Sequence, residues 1–142
     1  MTSEYFICQK HAGSVAPPGG YAYEDAHWKV CHAPAAMAGL GTMIVESKRH
    51  VLDFAEMNAE EASSYGQLLQ RLYTALKGLT GAERVYSVVL LEGAAHFHSW
   101  LVPRTADAPD RGIALLARAA TCDEAEAQAF AVQLRARLAP KG

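Results

Sequence analysis

Cysteine is scarce in this sequence: Cys8, Cys31 and Cys122 are an odd number without framework spacing. A disulfide scaffold is therefore not expected, and cysteine is left for metal ligation or packing. No apolar run is long enough to span a bilayer. The N-terminal residues Met1, Thr2, Ser3, Glu4 and Tyr5 have neither the basic head nor the apolar run of a secretory signal, so a cytoplasmic location is expected. Positive charge is not in excess either. With 13 basic against 15 acidic side chains and a formal net charge of -2, the chain offers no field for holding a nucleic-acid polymer by counterion release, although a small phosphorylated ligand remains open. Internal repeats and low-complexity blocks are also lacking.

What is present fits one globular domain over residues 1–142, with 51% apolar and 20% charged residues, enough to bury a real core. A breaker-rich loop at residues 12–20 precedes two short strands, residues 21–24 and 28–32, split by a turn near Asp25. After the Gly39-Leu40-Gly41 turn, Thr42 to Val45 reads as a strand that ends in the charged run Glu46-Ser47-Lys48-Arg49-His50. Asn58, with Glu61 three residues on, starts the longest helix in capping-box fashion. Its stripe of Tyr65, Leu68, Leu69, Leu72, Leu76 and Leu79 predicts one buried face, ending at Gly78 and Gly81. Two β-rich runs, residues 84–91 and 96–102, are separated by the hairpin-length connection Glu92-Gly93-Ala94-Ala95. Residues 105–112 are loop by composition, and residues 113–120 are open to helix or strand. Thr121 with Glu124 predicts the cap of a last helix that carries Ala127, Phe130, Leu134 and Leu138 inward. The order of elements is that of an α+β fold with an antiparallel sheet of about five strands, one long helix and a C-terminal helix.

Strand alternation would place His96, His98 and Trp100 on one side and Phe97, Ser99 and Leu101 on the other. A single strand histidine most often caps a core edge, but two at i and i+2 weaken that reading. Cys8 and His11, in Cys-x-x-His spacing, add two further soft or borderline donors, which with His50 and His96 suit a closed tetrahedral zinc site. His27 and His32 read as surface or core-edge packing.

The segment His96-Phe97-His98-Ser99-Trp100-Leu101-Val102-Pro103-Arg104 resembles the signature of the histidine-triad family, with Trp100 in place of the third histidine. The resemblance extends through Phe6 to His11, Tyr23 to Asp25, Val45 to Val51 and Val85 to Ser87, covering most of residues 5–104. It implies that His98 is the nucleophile that attacks an α-phosphorus and forms a nucleotidyl-histidine, with His96 and Trp100 beside it. It also implies a structural zinc held by Cys8, His11, His50 and His96, and a nucleotide pocket walled by Tyr23, Trp28 and Leu40, with Arg104 near a phosphate. Each of those three wall residues is equally well read as core, and Arg104, like Lys48 and Arg49, reads more readily as a solvated strand exit than as a phosphate ligand. The implied ligands are AMP or a dinucleoside polyphosphate, and the implied assembly is a homodimer.

The chain departs from the family in two places. An indole has one N–H donor and transfers no proton at neutral pH, unlike the imidazole it replaces. The Asn and Gly-Gln that many relatives place before the motif are missing, since Leu91-Glu92-Gly93-Ala94-Ala95 leads straight into His96. The expected activity is hydrolysis or transfer at the α-phosphate of a phosphoanhydride or phosphoramidate. A non-catalytic nucleotide-binding protein is the alternative, and a metal-dependent phosphoesterase in which His96 and His98 share an ion is a weaker third.

Overall fold

A computed structural model describes residues 16–140. Five strands, β1 (Tyr23–Glu24), β2 (Trp28–His32), β3 (Met43–Ser47), β4 (Arg84–Val88) and β5 (His98–Arg104), form one sheet in the order β1-β2-β3-β5-β4. Every neighbouring pair is antiparallel. Among the described residues the α-helices are α1 (Ala59–Thr80), the short α2 (Ile113–Ala117) and α3 (Glu124–Leu138). The architecture is the α+β fold expected from the order of elements.

The turn from β1 to β2 is held by the Asp25 carboxylate, which accepts from the backbone N–H groups of His27 and Trp28 at 2.8 Å each. The start of α1 is a full capping box: Asn58 accepts from the Glu61 N–H at 2.8 Å and Glu61 accepts from the Asn58 N–H at 2.9 Å. Gly81, at φ 72°, closes the helix in the left-handed conformation that favours glycine, whereas Gly78 lies inside it. Tyr65, Leu68, Leu72 and Leu76 are buried as the stripe requires, while Leu69 and Leu79 pack at its margin. On α3, Ala127, Phe130, Leu134 and Leu138 are all buried, but the cap is Asp123, which accepts from the Glu126 N–H, and not Thr121. Asp123 and Thr121 are both good capping types, and the backbone path sets the cap at Asp123, the residue immediately before the helix.

α1 and α3 share one core with Trp28, Val30, Met43, Val45 and Leu101, so both helices cover the same face of the sheet. Alternation along the strands puts Lys29, Cys31, Ile44, Glu46, His98, Trp100 and Val102 on the other face. There Cys31, Ile44, Ala33 and Ala38 make a second, small apolar cluster with Tyr21 and Trp100 against it.

Several strand boundaries differ from the sequence expectation, while the segment open to helix or strand resolves as helix. β3 continues through Glu46 and Ser47, both buried, because Glu46 finds donors inside the fold. β4 stops at Val88 and β5 begins at His98, so the connection spans residues 89–97 and His96 precedes the strand. Residues 113–117 form α2, which buries none of its side chains.

His32 locks the loop between β2 and β3. Its Nδ1–H donates to the Ala33 carbonyl at 2.7 Å and its Nε2 accepts from the Gly41 N–H at 2.9 Å. Burial, which penalises the charged ring, pushes its pKa below the ordinary histidine value. The unfolded chain takes up a proton below about pH 6.5 while the native ring resists it, so stability present above that pH is lost as the pH falls, at up to about 1.4 kcal/mol per unit. Urea titrations at pH 7 and pH 5 are expected to show a larger acid loss for the wild type than for His32→Gln. Equal losses would assign the acid sensitivity to other groups.

Candidate functional site

The site is built where the chain leaves β3 and where it enters β5. The two segments are laced by the backbone, with Phe97 N–H donating to the Val51 carbonyl at 2.7 Å and Ser47 N–H to the Phe97 carbonyl at 3.2 Å. Arg49 ties the same stretch to the start of α1 through Glu61 (3.1 and 2.7 Å) and the Glu56 carbonyl (2.8 Å). The Arg49 guanidinium is the main cause of the lowered Glu61 pKa. Lys48 pairs with Glu24 at 2.7 Å.

This lacing fixes His96 and His50. His96 is 1% exposed and its Nε2 lies 2.6 Å from the Ser47 carbonyl oxygen, an atom that only accepts. Nε2 therefore carries the hydrogen in the neutral ring, and Nδ1 keeps its lone pair. That Nδ1 lies 3.1 Å from Nδ1 of His50, with the two rings nearly perpendicular at 82°.

His98 begins β5 and is half-buried on the sheet face away from α1. Its Nδ1 lies 2.8 Å from the His96 carbonyl oxygen, so Nδ1 carries the hydrogen and Nε2 keeps the lone pair in the neutral ring. Trp100, two residues on and on the same face, is half-buried against the Cys31, Ala38 and Ile44 cluster. On the opposite face Phe97, Ser99 and Leu101 are buried, and Ser99 accepts from the Tyr65 hydroxyl at 2.8 Å.

The remaining residues singled out from sequence scatter. Trp28 is fully buried under α1, its indole N–H on Ser64 Oγ at 2.9 Å and its ring against Tyr65 and Phe97. Tyr23, opposite Val30, packs on the same core, donates to Asp25 at 2.8 Å and lies under Arg71. Both are on the helix-covered face, across the sheet from His98, because the phase of β1 and β2 turns them inward. Leu40 is 43% exposed on the β2–β3 loop, whose Ala33 and Ala38 pack on His98's face. Arg104 ends β5 about 20 Å from His98 at about 3.3 Å per residue, and it is buried in an ion pair with Glu83, too far for both to hold one phosphate. Cys8 and His11 lie outside the described residues. Among the described residues no three His, Cys, Asp or Glu side chains converge as a metal cage.

Sequence reasoning passed over Glu46 and Tyr21. Glu46 is fully buried on His98's face; its Oε1 accepts from the Tyr21 hydroxyl at 2.9 Å and its Oε2 faces the Cys31 thiol at 3.8 Å. Burial, and then the Glu46 carboxylate, push the Tyr21 hydroxyl pKa far upward. The signal was there in outline, since Ile44 and Glu46 alternate on one face of an apolar strand.

No protein-family model matches the sequence, and no curated protein does. Solved structures do match. A HIT-like protein involved in cell-cycle regulation from Bartonella henselae superposes with a TM-score of 0.73 at 14% identity, covering 94% of this chain and 95% of its own. A zinc-bound histidine-triad family protein from Mycobacterium smegmatis gives 0.72 at 19% identity, with 94% of each chain covered. A hypothetical histidine-triad nucleotide-binding protein from Sulfolobus tokodaii gives 0.73 at 13% identity, covering 93% of this chain and 90% of its own. With the five-stranded antiparallel sheet and its flanking helices, these superpositions show that the chain has the fold of the histidine-triad proteins.

Proposed function

We propose that this protein is a nucleotide phosphohydrolase or nucleotidyltransferase that acts at an α-phosphate through a nucleotidyl intermediate on His98. The observation that carries the reading is the His98 tautomer: Nδ1–H is held by the His96 carbonyl, and Nε2 keeps its lone pair on a half-buried face. That is the state a nucleophilic imidazole needs. The Nε2 lone pair bonds to phosphorus as the electron pair of the scissile bond departs with the leaving group. Water then attacks the same phosphorus, the P–N electron pair returns to the ring, and a nucleoside monophosphate is released. Trp100 supplies an apolar wall and one N–H for a phosphate oxygen. Incubation with diadenosine tetraphosphate or an adenosine phosphoramidate, followed by intact mass measurement, is expected to show an AMP adduct on the wild-type chain.

Zinc is part of the proposal, held by Cys8, His11, His50 and His96 in a closed structural site. The described half fits: two nitrogens on one tetrahedral zinc at about 2.0–2.1 Å lie roughly 3.3–3.4 Å apart, close to the 3.1 Å between the two Nδ1 atoms. The Ser47 carbonyl also orients His96 in the manner of an outer-shell partner. Bound there, zinc would clamp the β3 exit to the β5 entry. Unchelated protein is expected to carry about one zinc per chain, and stripping it to lower Tm by at least about 5 °C. Far less than one equivalent, or an unchanged Tm, would sink the site.

A binding-only protein is the second reading, favoured by the packing of Trp100 into the apolar cluster. Tight AMP binding without adduct or turnover would support it. The phosphoesterase reading, with a catalytic ion shared by His96 and His98, loses support because His96 turns its nitrogens to Ser47 and His50. AMP or a dinucleoside polyphosphate is the proposed ligand, in a homodimer. No helix among the described residues is long and apolar enough to cross a membrane.

A further inference from the structure

The register of the sheet sets three side chains in one row on the face that carries His98. Lys29 on β2 is opposite Glu46 on β3, and Glu46 is opposite His98 on β5. Directly opposed residues on one face have Cβ atoms about 4.5–5.5 Å apart. Glu46 is fully buried, with Oε1 accepting from the Tyr21 hydroxyl at 2.9 Å and Oε2 facing the Cys31 thiol at 3.8 Å. Tyr21 is itself held under Lys29, whose Nζ lies 4.1 Å from the ring centroid. Glu61, the other buried acid among the described residues, is bound to Arg49 at the start of α1.

We propose that Glu46 is a positioning residue for the reaction at His98, its buried carboxylate stabilising the positive charge that develops on the imidazole as Nε2 bonds to phosphorus. The inference rests on the reading of His98 as nucleophile. In that step the P–N bond forms, the bridging P–O bond breaks and its electron pair leaves with the departing phosphate. The ring keeps its Nδ1 hydrogen and becomes cationic. A fixed anion one strand away, out of water, opposes no reorganisation and acts on charge that exists only in the transition state and intermediate. The same anion disfavours the negative phosphate in the ground state. Glu46 therefore raises the rate of adduct formation and does nothing for, or weakens, binding of AMP.

The test is single-turnover adduct formation with diadenosine tetraphosphate, read by intact mass, beside AMP affinity, in the wild type, Glu46→Gln and Tyr21→Phe. Glu46→Gln is expected to slow adduct formation by about 10–100-fold while AMP binds as well or better. Tyr21→Phe, which keeps the charge but frees one carboxylate oxygen, is expected to slow it by a smaller factor with AMP affinity kept. Should Glu46→Gln fail to fold by near-ultraviolet circular dichroism, Tyr21→Phe decides alone. A wild-type rate in the folded variants, or AMP affinity lost in parallel with the rate, overturns the inference while leaving the nucleophile in place. A wild type that forms no adduct overturns the reading of His98 and this inference with it.

Discussion

Replacing His98 by Ala is expected to abolish the AMP adduct and to lower turnover of diadenosine tetraphosphate by on the order of 10⁴-fold or more, because the bond-forming nitrogen is gone and neither Trp100 nor His96 can take its place. Trp100 has no nucleophilic lone pair in its ring plane, and His96 directs its nitrogens to Ser47 and His50. The fold is expected to survive. His98 is half-buried, and its one hydrogen bond goes to the carbonyl two residues before it. AMP affinity should change by only a few-fold, which separates loss of chemistry from loss of the pocket. A folded His98→Ala protein that turns over substrate at the wild-type rate would eliminate the nucleotidyl-histidine mechanism.

The largest stability effect is expected at Phe97, where truncation to Ala should cost about 3–5 kcal/mol. Phe97 is fully buried, with its ring 4.9 Å from Phe54, 5.6 Å from Tyr65 and 5.7 Å from Trp28, all in edge or T-shaped contact. Removing it leaves a cavity bounded by the buried Trp28 and Tyr65 rings, with the half-exposed Phe54 at its edge. The consequence reaches the candidate site through the backbone, because the Phe97 N–H and carbonyl join the segment of His96 and His98 to that of Ser47 and His50. Urea unfolding of Phe97→Ala should show a lower midpoint at unchanged slope, with AMP affinity falling as well. A loss below about 1 kcal/mol would mean that the ring cluster repacks and is not the anchor described above.

Much of this arrangement was legible locally. The α1 stripe and its capping box depend on residues within one or two turns, and Asn58, Glu61, Tyr65, Leu68, Leu72 and Leu76 hold the places their spacing predicts. The inward residues of α3 follow the same rule, although its cap moved to Asp123 because Thr121 and Asp123 are both capping types and only the backbone path chooses between them. The face of β2 was not legible in this way. Trp28, Val30 and His32 alternate with Lys29 and Cys31, and both sets contain residues that bury, so the strand has no clearly polar side. The resemblance placed Trp28 and Tyr23 at the ligand, with core packing an equal reading, and both are found on the core under α1. Arg104 reads as a cation near the histidines until Glu83, 21 residues away, is seen to hold it.

By itself the sequence determined the α+β class, the helices with their buried stripes, and the cluster of histidines around His96 and His98, because periodicity and motif spacing are properties of neighbouring residues. Only the tertiary structure decided which nitrogen of His96 and of His98 carries the hydrogen, since that follows from the carbonyls of Ser47 and His96 standing where they do. It alone decided that Glu46, in sequence the first of a charged run, is a buried carboxylate across from His98. Two partners of its carboxylate, Tyr21 and Cys31, come from 25 and 15 residues earlier in the chain and meet it only when β1, β2 and β3 pair.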